Sequence, residues 1–158
     1  MNHILAHKIK SRQASIDFIF AGKAIVTFKN VNTGNRYTFK ITHFKKVEDK
    51  FMHFVKVMYG SDNINDYSYI GTIFDKKDFV HTKKSKVTIE DVRFRTFRYV
   101  FNNLLMGTLP NYIEIFHEGK CGKCGRTLTV PESIKIGLGP VCRDYLDKEK
   151  SNQINLNI

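Results

Sequence analysis

All three cysteines of the chain lie between positions 121 and 142, and their spacing is that of metal ligands. Cys121 and Cys124 form a Cys-Gly-Lys-Cys-Gly turn, in which the glycines permit the backbone conformations that let two thiolates grip one ion. Cys142 follows Cys124 after 17 intervening residues, within ordinary zinc-finger spacing. Gly139 and Pro140 mark a helix start, which places Cys142 near a helix N-terminus, where the dipole favours a thiolate. Zinc prefers thiolate and imidazole in a tetrahedron, and a closed four-ligand site is structural. Position 145 is Tyr, so no second cysteine completes the set. His117 is the expected fourth ligand, brought back by a reversal over Glu118 and Gly119, with Asp144 as second choice. The expectation is therefore a structural Zn2+ on Cys121, Cys124, Cys142 and His117. Knuckle, loop and ligand at a helix start are a treble-clef layout. A catalytic metal would need an open position and a nearby base, and no base stands close in sequence. Three inert cysteines and a redox pair are the competing readings.

A second set of residues suits anions. Lys29, Arg36 and Lys40 fall on one face of a strand pair, and Arg95, Arg98 and Tyr99 share one flank of a helix. Arg126 follows the knuckle and either touches a phosphate or braces the loop. Tyr67 and Tyr69 can stack unpaired bases on a basic sheet or pack in the core. Gly137-Leu138-Gly139-Pro140 reads as turn geometry before phosphate cradle, and Pro131 with Glu132 and Ser133 as a helix start. His3 and His7 have the i, i+4 spacing of a helical metal pair or lie solvated near the terminus. No Walker loop, Ser-His-Asp order or paired carboxylates are present, so the sequence points to a protein that is not an enzyme.

The elements that must hold these residues follow from periodicity. SRQASIDFIF reads as a short helix from Ser11 to Gly22. AIVTFKNVNTGNRYTFKI is a hairpin, with Ala24, Val26, Phe28, Tyr37, Phe39 and Ile41 on the core face and Gly34 in the turn. FMHFVKVMYG (51–60) and YSYIGTIF (67–74) add two strands across a polar loop, while DKKDFVHTKKSK reads as a basic loop. The main helix is TIEDVRFRTFRYVFNNLLMG, with Thr88 as cap, Phe94, Phe97, Phe101, Leu104 and Leu105 on its buried face, and Gly107 as its end. YIEIF (112–116) is a short strand feeding the cysteine segment. The expected fold class is α+β: an antiparallel sheet of about four strands, one main packed helix and a C-terminal treble-clef-like zinc module. The expected divisions are an α+β domain over 1–111, the zinc module over 112–150 and a flexible tail over 151–158.

Composition bounds the partners. The chain has 158 residues, 26 of them basic against 15 acidic, for a formal net charge of +11. Such an excess suits a polyanion, because clustered Lys and Arg release counterions from phosphates, and it argues against mimicry of DNA. No leader-like apolar run opens the sequence and none approaches the roughly 20 residues of a membrane span, so no membrane and a cytoplasmic location with reduced thiols are expected.

The run CGKCGRTLTVPESIKIGLGPVC resembles a short cysteine domain of unknown function found in many bacteriophage proteins. That family shows Cys-x-x-Cys-Gly-Arg, Leu-Thr, Pro-x-Ser-Ile and Gly-x-Gly-Pro-x-Cys, matched here from Cys121 through Arg126, Leu128, Thr129, Pro131, Ser133, Ile134, Gly137, Gly139 and Pro140 to Cys142. The upstream run FIFAGKAIVTFKNVNTGNRYTF and DYSYIGTIF are also similar to such proteins. The resemblance implies a phage-encoded accessory protein in the host cytoplasm and implies no activity. The leading expectation is a basic zinc-binding protein that engages nucleic acid or a host nucleoprotein. The alternatives are an inhibitor of a host defence protein by protein contact, and a protein that sequesters a nucleotide signal through Arg126 and the Gly-Pro turn.

Overall fold

A computed structural model describes residues 6–45, 51–61 and 65–156. Its elements are β1 (His7–Lys8), α1 (Arg12–Ile19), β2 (Lys23–Asn30), β3 (Arg36–Lys45), β4 (Phe51–Met58), β5 (Tyr67–Phe74), β6 (Asp78–Val80), α2 (Val92–Met106), β7 (Ile113–His117), α3 (Pro131–Ile136) and α4 (Pro140–Leu156). The strands form one seven-stranded sheet in the order β1-β7-β2-β3-β4-β5-β6, antiparallel throughout. The sheet grows from the β2–β3 hairpin. The Asn30 side-chain oxygen accepts from the backbone of Asn32 and Thr33, and Gly34 takes a φ of 78°.

Among the described residues the expected four-stranded sheet with one main helix and a treble-clef-like appendage is thus replaced by seven strands and four helices, with the cysteine cluster near the C-terminus. Two strands escaped because they are too short to show a period. The first, β1, is two residues long, and β6 lies inside the basic run, with Phe79 as its one aromatic. Phe79 nevertheless stacks on Phe94 and meets Phe97 at 4.7 Å between centroids. The third addition is β7, which does more than feed the cysteines: it lies inside the sheet between β1 and β2. His3 and the centre of the loop joining β4 to β5 (62–64) fall outside the described residues, and His7 sits in β1, not in a helix. Helical backbone continues to Leu156, across most of the stretch expected as a tail.

Alternation along β2, β3 and β4 buries Ala24, Val26, Phe28, Phe39, Ile41, Val55 and Val57 on one face. Onto it α2 lays Phe94, Phe97, Val100, Phe101 and Leu104, so that Phe97 meets Phe39 at 5.0 Å and Phe101 at 5.6 Å. Each such ring buried stabilises by about 1.5–3 kcal/mol. Helix α2 starts later than Thr88: Asp91 is the cap, accepting from the Arg93 N–H at 2.9 Å. Gly107 closes the helix with a φ of 74°, and Arg12 from α1 donates to the last-turn carbonyls of Leu104 and Leu105. Ser11 caps α1 as its sequence suggests, accepting from the Ala14 N–H at 3.2 Å.

The opposite face of β2–β4 carries Ile25, Thr27, Lys29, Arg36, Thr38, Lys40, Thr42, Phe54, Lys56 and Met58, none of them buried. None of the described helices contributes to it.

Candidate metal centre and basic surfaces

The chain leaves β7, turns at Gly119 (φ 84°) and enters a small loop closed by a bridge between Lys120 and Thr127. The Cys121 N–H donates to the Arg126 carbonyl at 2.8 Å, and the Gly125 N–H donates back to the Cys121 carbonyl at 2.9 Å. Gly125, at φ 78°, makes this reversal possible. The short helix α3 follows, stopped at Gly137, and Cys142 comes up in the first turn of α4. The three sulfurs lie within 4.8 Å of one another. Thiolates about 2.3 Å from a tetrahedral zinc stand about 3.8 Å apart, so the cluster is within about 1 Å of that spacing.

The surroundings favour a shared cation. Burial pushes the Cys121 thiol up, but N–H groups of Gly139, Cys124 and Lys123 aimed at the sulfur outweigh it and bring the pKa down to about 7. The Gly139 N–H stands 3.4 Å from that sulfur. Cys142 is pushed the other way, to about 12, by burial and by its two sulfur neighbours. Three thiols this close cannot all ionise unless a positive charge sits among them, and a divalent ion supplies that charge. The donor set, all sulfur, fits a soft or borderline ion.

The structure does not bring His117 to this cluster. Its imidazole is buried at the end of β7 with both nitrogens engaged: Nδ1 accepts from the Gly119 N–H at 3.0 Å, so Nε2 carries the proton and donates to the Ile134 carbonyl. The ring lies between His7 and Phe18, 5.3 and 5.6 Å away by centroid. Burial holds it neutral, with its pKa lowered. It thus pins α3 to the strand. Asp144 does not join the sulfurs either and pairs with Lys148 at 3.1 Å on the exposed side of α4. Tyr145, at the position where a fourth cysteine would complete the usual set, lies under the Lys123 ammonium at 3.7 Å and braces the knuckle on α4. Among the described residues no other His, Cys, Asp or Glu joins the group. The three cysteines open onto a concavity of about 390 Å3, edged by Arg126, Val130 and Val141. The Arg126 side chain is exposed at this rim, while its carbonyl holds the knuckle.

Two glycines dock this segment on the body of the fold. A Cβ on Gly122 or Gly137 would stand 2.7 or 2.5 Å from the Phe18 ring. Lys150 reaches back from α4 to both Asp17 oxygens, at 2.9 and 3.0 Å.

The other expected site residues divide into two places. Lys29, Arg36 and Lys40 lie on the uncovered sheet face, as alternation requires. Lys40 stands opposite Lys56, and Lys29 stands opposite Arg36 on one side and opposite Glu114 of β7, itself paired with Lys8 at 2.6 Å, on the other. Lys40 also reaches over the Tyr67 ring at 5.6 Å, and Phe54 touches Phe44 and Tyr69 at 5.4 and 6.0 Å. Strands β2 to β5 contain no acidic residue. Lys56 and Phe54 were not singled out from sequence, although the alternation of FMHFVKVM placed both opposite the buried His53, Val55 and Val57. Arg95, Arg98 and Tyr99 line a separate cleft beside α2.

No described helix is long and apolar enough to cross a membrane. Residues 114–147, from β7 through the three cysteines into α4, match a family of unknown function (DUF6011). The match covers the stretch that carries the cysteine motif, and its description assigns neither an origin nor an activity. No curated protein and no solved structure matches the chain.

Proposed function

We propose that the protein binds unpaired nucleic acid on the uncovered face of its sheet, and that a structural zinc ion ties the C-terminal cysteines together. The observation that carries the reading is the row of facing cations, Lys40 with Lys56 and Lys29 with Arg36, the last pair bordered by Glu114, on a sheet face to which no described helix contributes. Like charges directly opposite one another destabilise a sheet, and an anion laid across them removes that cost. Aromatic rings stand among these cations: Phe54, Tyr67 and Tyr69, with Phe44 exposed at the strand's end. Cations that follow a backbone together with rings that take successive bases make the platform single strands use, because every base has a face to stack. A duplex offers its phosphates and hides its bases, so it gains only the first of these contacts.

In this reading the cysteine segment is scaffolding. The ion supplies the positive charge that lets Cys121, Cys124 and Cys142 ionise together. The fourth position falls to a group outside the described His, Cys, Asp and Glu side chains, such as water. Three thiolates with a water leave the open position that a catalytic zinc also has, and the structural role is preferred because no other described His, Asp or Glu side chain joins the sulfurs to act as a base.

The test is fluorescence anisotropy with labelled single-stranded RNA and DNA of about 15 nucleotides, against a duplex of the same length. Single strands should bind at least about tenfold more tightly than the duplex. Phe54→Ala should weaken single-strand binding by about 5- to 100-fold, the worth of one stacked base. Lys40→Glu should weaken single strands and duplex alike. Equal affinity for both forms with no effect of Phe54→Ala would refute the proposal.

A further inference from the structure

A second surface, on α2, lies away from the cysteines and meets the sheet face only at Lys29. Val92, Arg95, Tyr99, Asn103 and Met106 recur at i, i+3, i+7, i+11 and i+14, which places them on one side of the helix beside the buried stripe. Val92, Tyr99 and Met106 are about half exposed or more, at 49, 47 and 67%. The β2–β3 hairpin and the segment at Tyr112 form the other walls of a cleft of about 610 Å3. That is within the usual range of small-molecule sites, about 300–1,000 Å3.

The lining is chemically one-sided. It includes Arg95 and Arg98, with Lys29 at the strand margin, and contains no carboxylate. Neither arginine forms an ion pair among the described residues, though the Arg98 guanidinium rests over the Phe94 ring at 5.5 Å, whereas Arg93, two residues before Arg95, is held by both oxygens of Asp91 at 2.9 and 2.8 Å. The acid nearest in sequence is therefore occupied. Three tyrosines, Tyr37, Tyr99 and Tyr112, share the cleft, and Tyr99 meets Tyr112 side chain to side chain. The side-chain amides of Asn35 and Asn102 also line it and make no hydrogen bond to another described residue. Asn30 and Asn103, by contrast, are used by the turn and by the helix end.

We infer that this cleft binds a mononucleotide, with Arg95 and Arg98 on the phosphate, the tyrosine rings against the base and the free amides on polar edges. Two unpaired guanidiniums match a phosphate group, whose oxygens accept their paired N–H donors. Three rings beside the apolar side chains of Val92, Val100 and Met106 match a flat heteroaromatic group, and a bare inorganic anion would leave them in water. The site touches the sheet face only at Lys29: Arg95 and Tyr99 lie on α2, and Lys40 and Phe54 on the far side of the sheet.

Thermal denaturation and calorimetric titration of the full chain with AMP, GMP, CMP and UMP, beside adenosine and inorganic phosphate, test the inference. At least one nucleotide should raise the melting temperature and titrate to one site per chain, and adenosine and phosphate should each bind at least about tenfold more weakly. Arg95→Ala should lower nucleotide affinity by about tenfold while leaving adenosine unchanged, and Tyr99→Ala should weaken both. Lys40→Glu should leave nucleotide binding as it was. Both α2 residues are exposed, so the variants should fold, which circular dichroism checks. The inference fails if none of the four nucleotides binds at millimolar concentration. It also fails if binding survives both α2 substitutions, or if Lys40→Glu abolishes it, which would return the nucleotide to the sheet face.

Discussion

Burial and two neighbouring sulfurs push the Cys142 thiol up to about 12, while N–H groups bring Cys121 down to about 7, so a cation held among the three sulfurs would act chiefly by ionising Cys142. Purified protein is expected to carry one equivalent of zinc by elemental analysis, and Cys142→Ser should release it. His117→Ala should keep the ion, because that imidazole serves Gly119 and Ile134, yet should lower stability by about 1–3 kcal/mol as α3 loses its anchor. Loss of zinc in this variant without loss of fold would return His117 to the metal. The thiols were legible from spacing alone. The role of the imidazole was not, since the carbonyl it holds, on Ile134, lies 17 residues ahead. His53 provides a second expectation. It is fully buried and its pKa is pushed from 6.5 down to about 4, first by burial and then by His43 and Lys76, against the opposing pull of the Phe20 carbonyl. The unfolded chain takes up a proton below about pH 6.5 that the fold refuses, so stability present above that value falls as the pH drops toward 4. Urea unfolding should show about 2 kcal/mol lost from this group between pH 7 and pH 5. His53→Leu should flatten that slope by a similar amount, and an unchanged slope would assign the loss elsewhere.

Among the elements, the contact of greatest consequence is Phe18 of α1 against Gly122 and Gly137. It joins the cluster of Cys121, Leu128 and Leu138 to the main core through two positions where a methyl group has no room. Gly122→Ala is expected to cost about 1–3 kcal/mol by thermal unfolding. The same substitution made in Phe18→Leu should cost less, because the opposing ring is gone; additive losses would show that the two do not share a contact. Both hairpin strands and the buried stripe of α2 could be read from alternation and helical spacing, since those periods report burial directly. The start of α2 was misplaced at Thr88 because Thr88 and Asp91 are both good caps, and only the Asp91 oxygen meets a free N–H of the first turn. The edge strands β1 and β6 were invisible, being made by pairing with neighbours and not by a pattern of their own.

At the scale of the whole molecule, the decisive feature is which sheet face stays bare. Alternation showed that Lys29, Arg36 and Lys40 share a face. It could not show that the described helices would leave that face open, or that Lys56 and Phe54 would arrive beside it from β4. Those facts depend on strand order, which is set by long-range pairing. With a net charge of +11 the molecule would attract any polyanion, so affinity alone proves little. The salt dependence of single-strand binding is more direct, because it counts the phosphates neutralised. A plot of log affinity against log salt for a single-stranded oligonucleotide should have a slope of about −2 to −3.5, from three to five cations on the sheet face. In the Lys40→Glu, Lys56→Glu double variant the slope should become shallower by at least about one. A slope near zero, or one that both substitutions leave unchanged, would contradict the assignment of this face to nucleic acid.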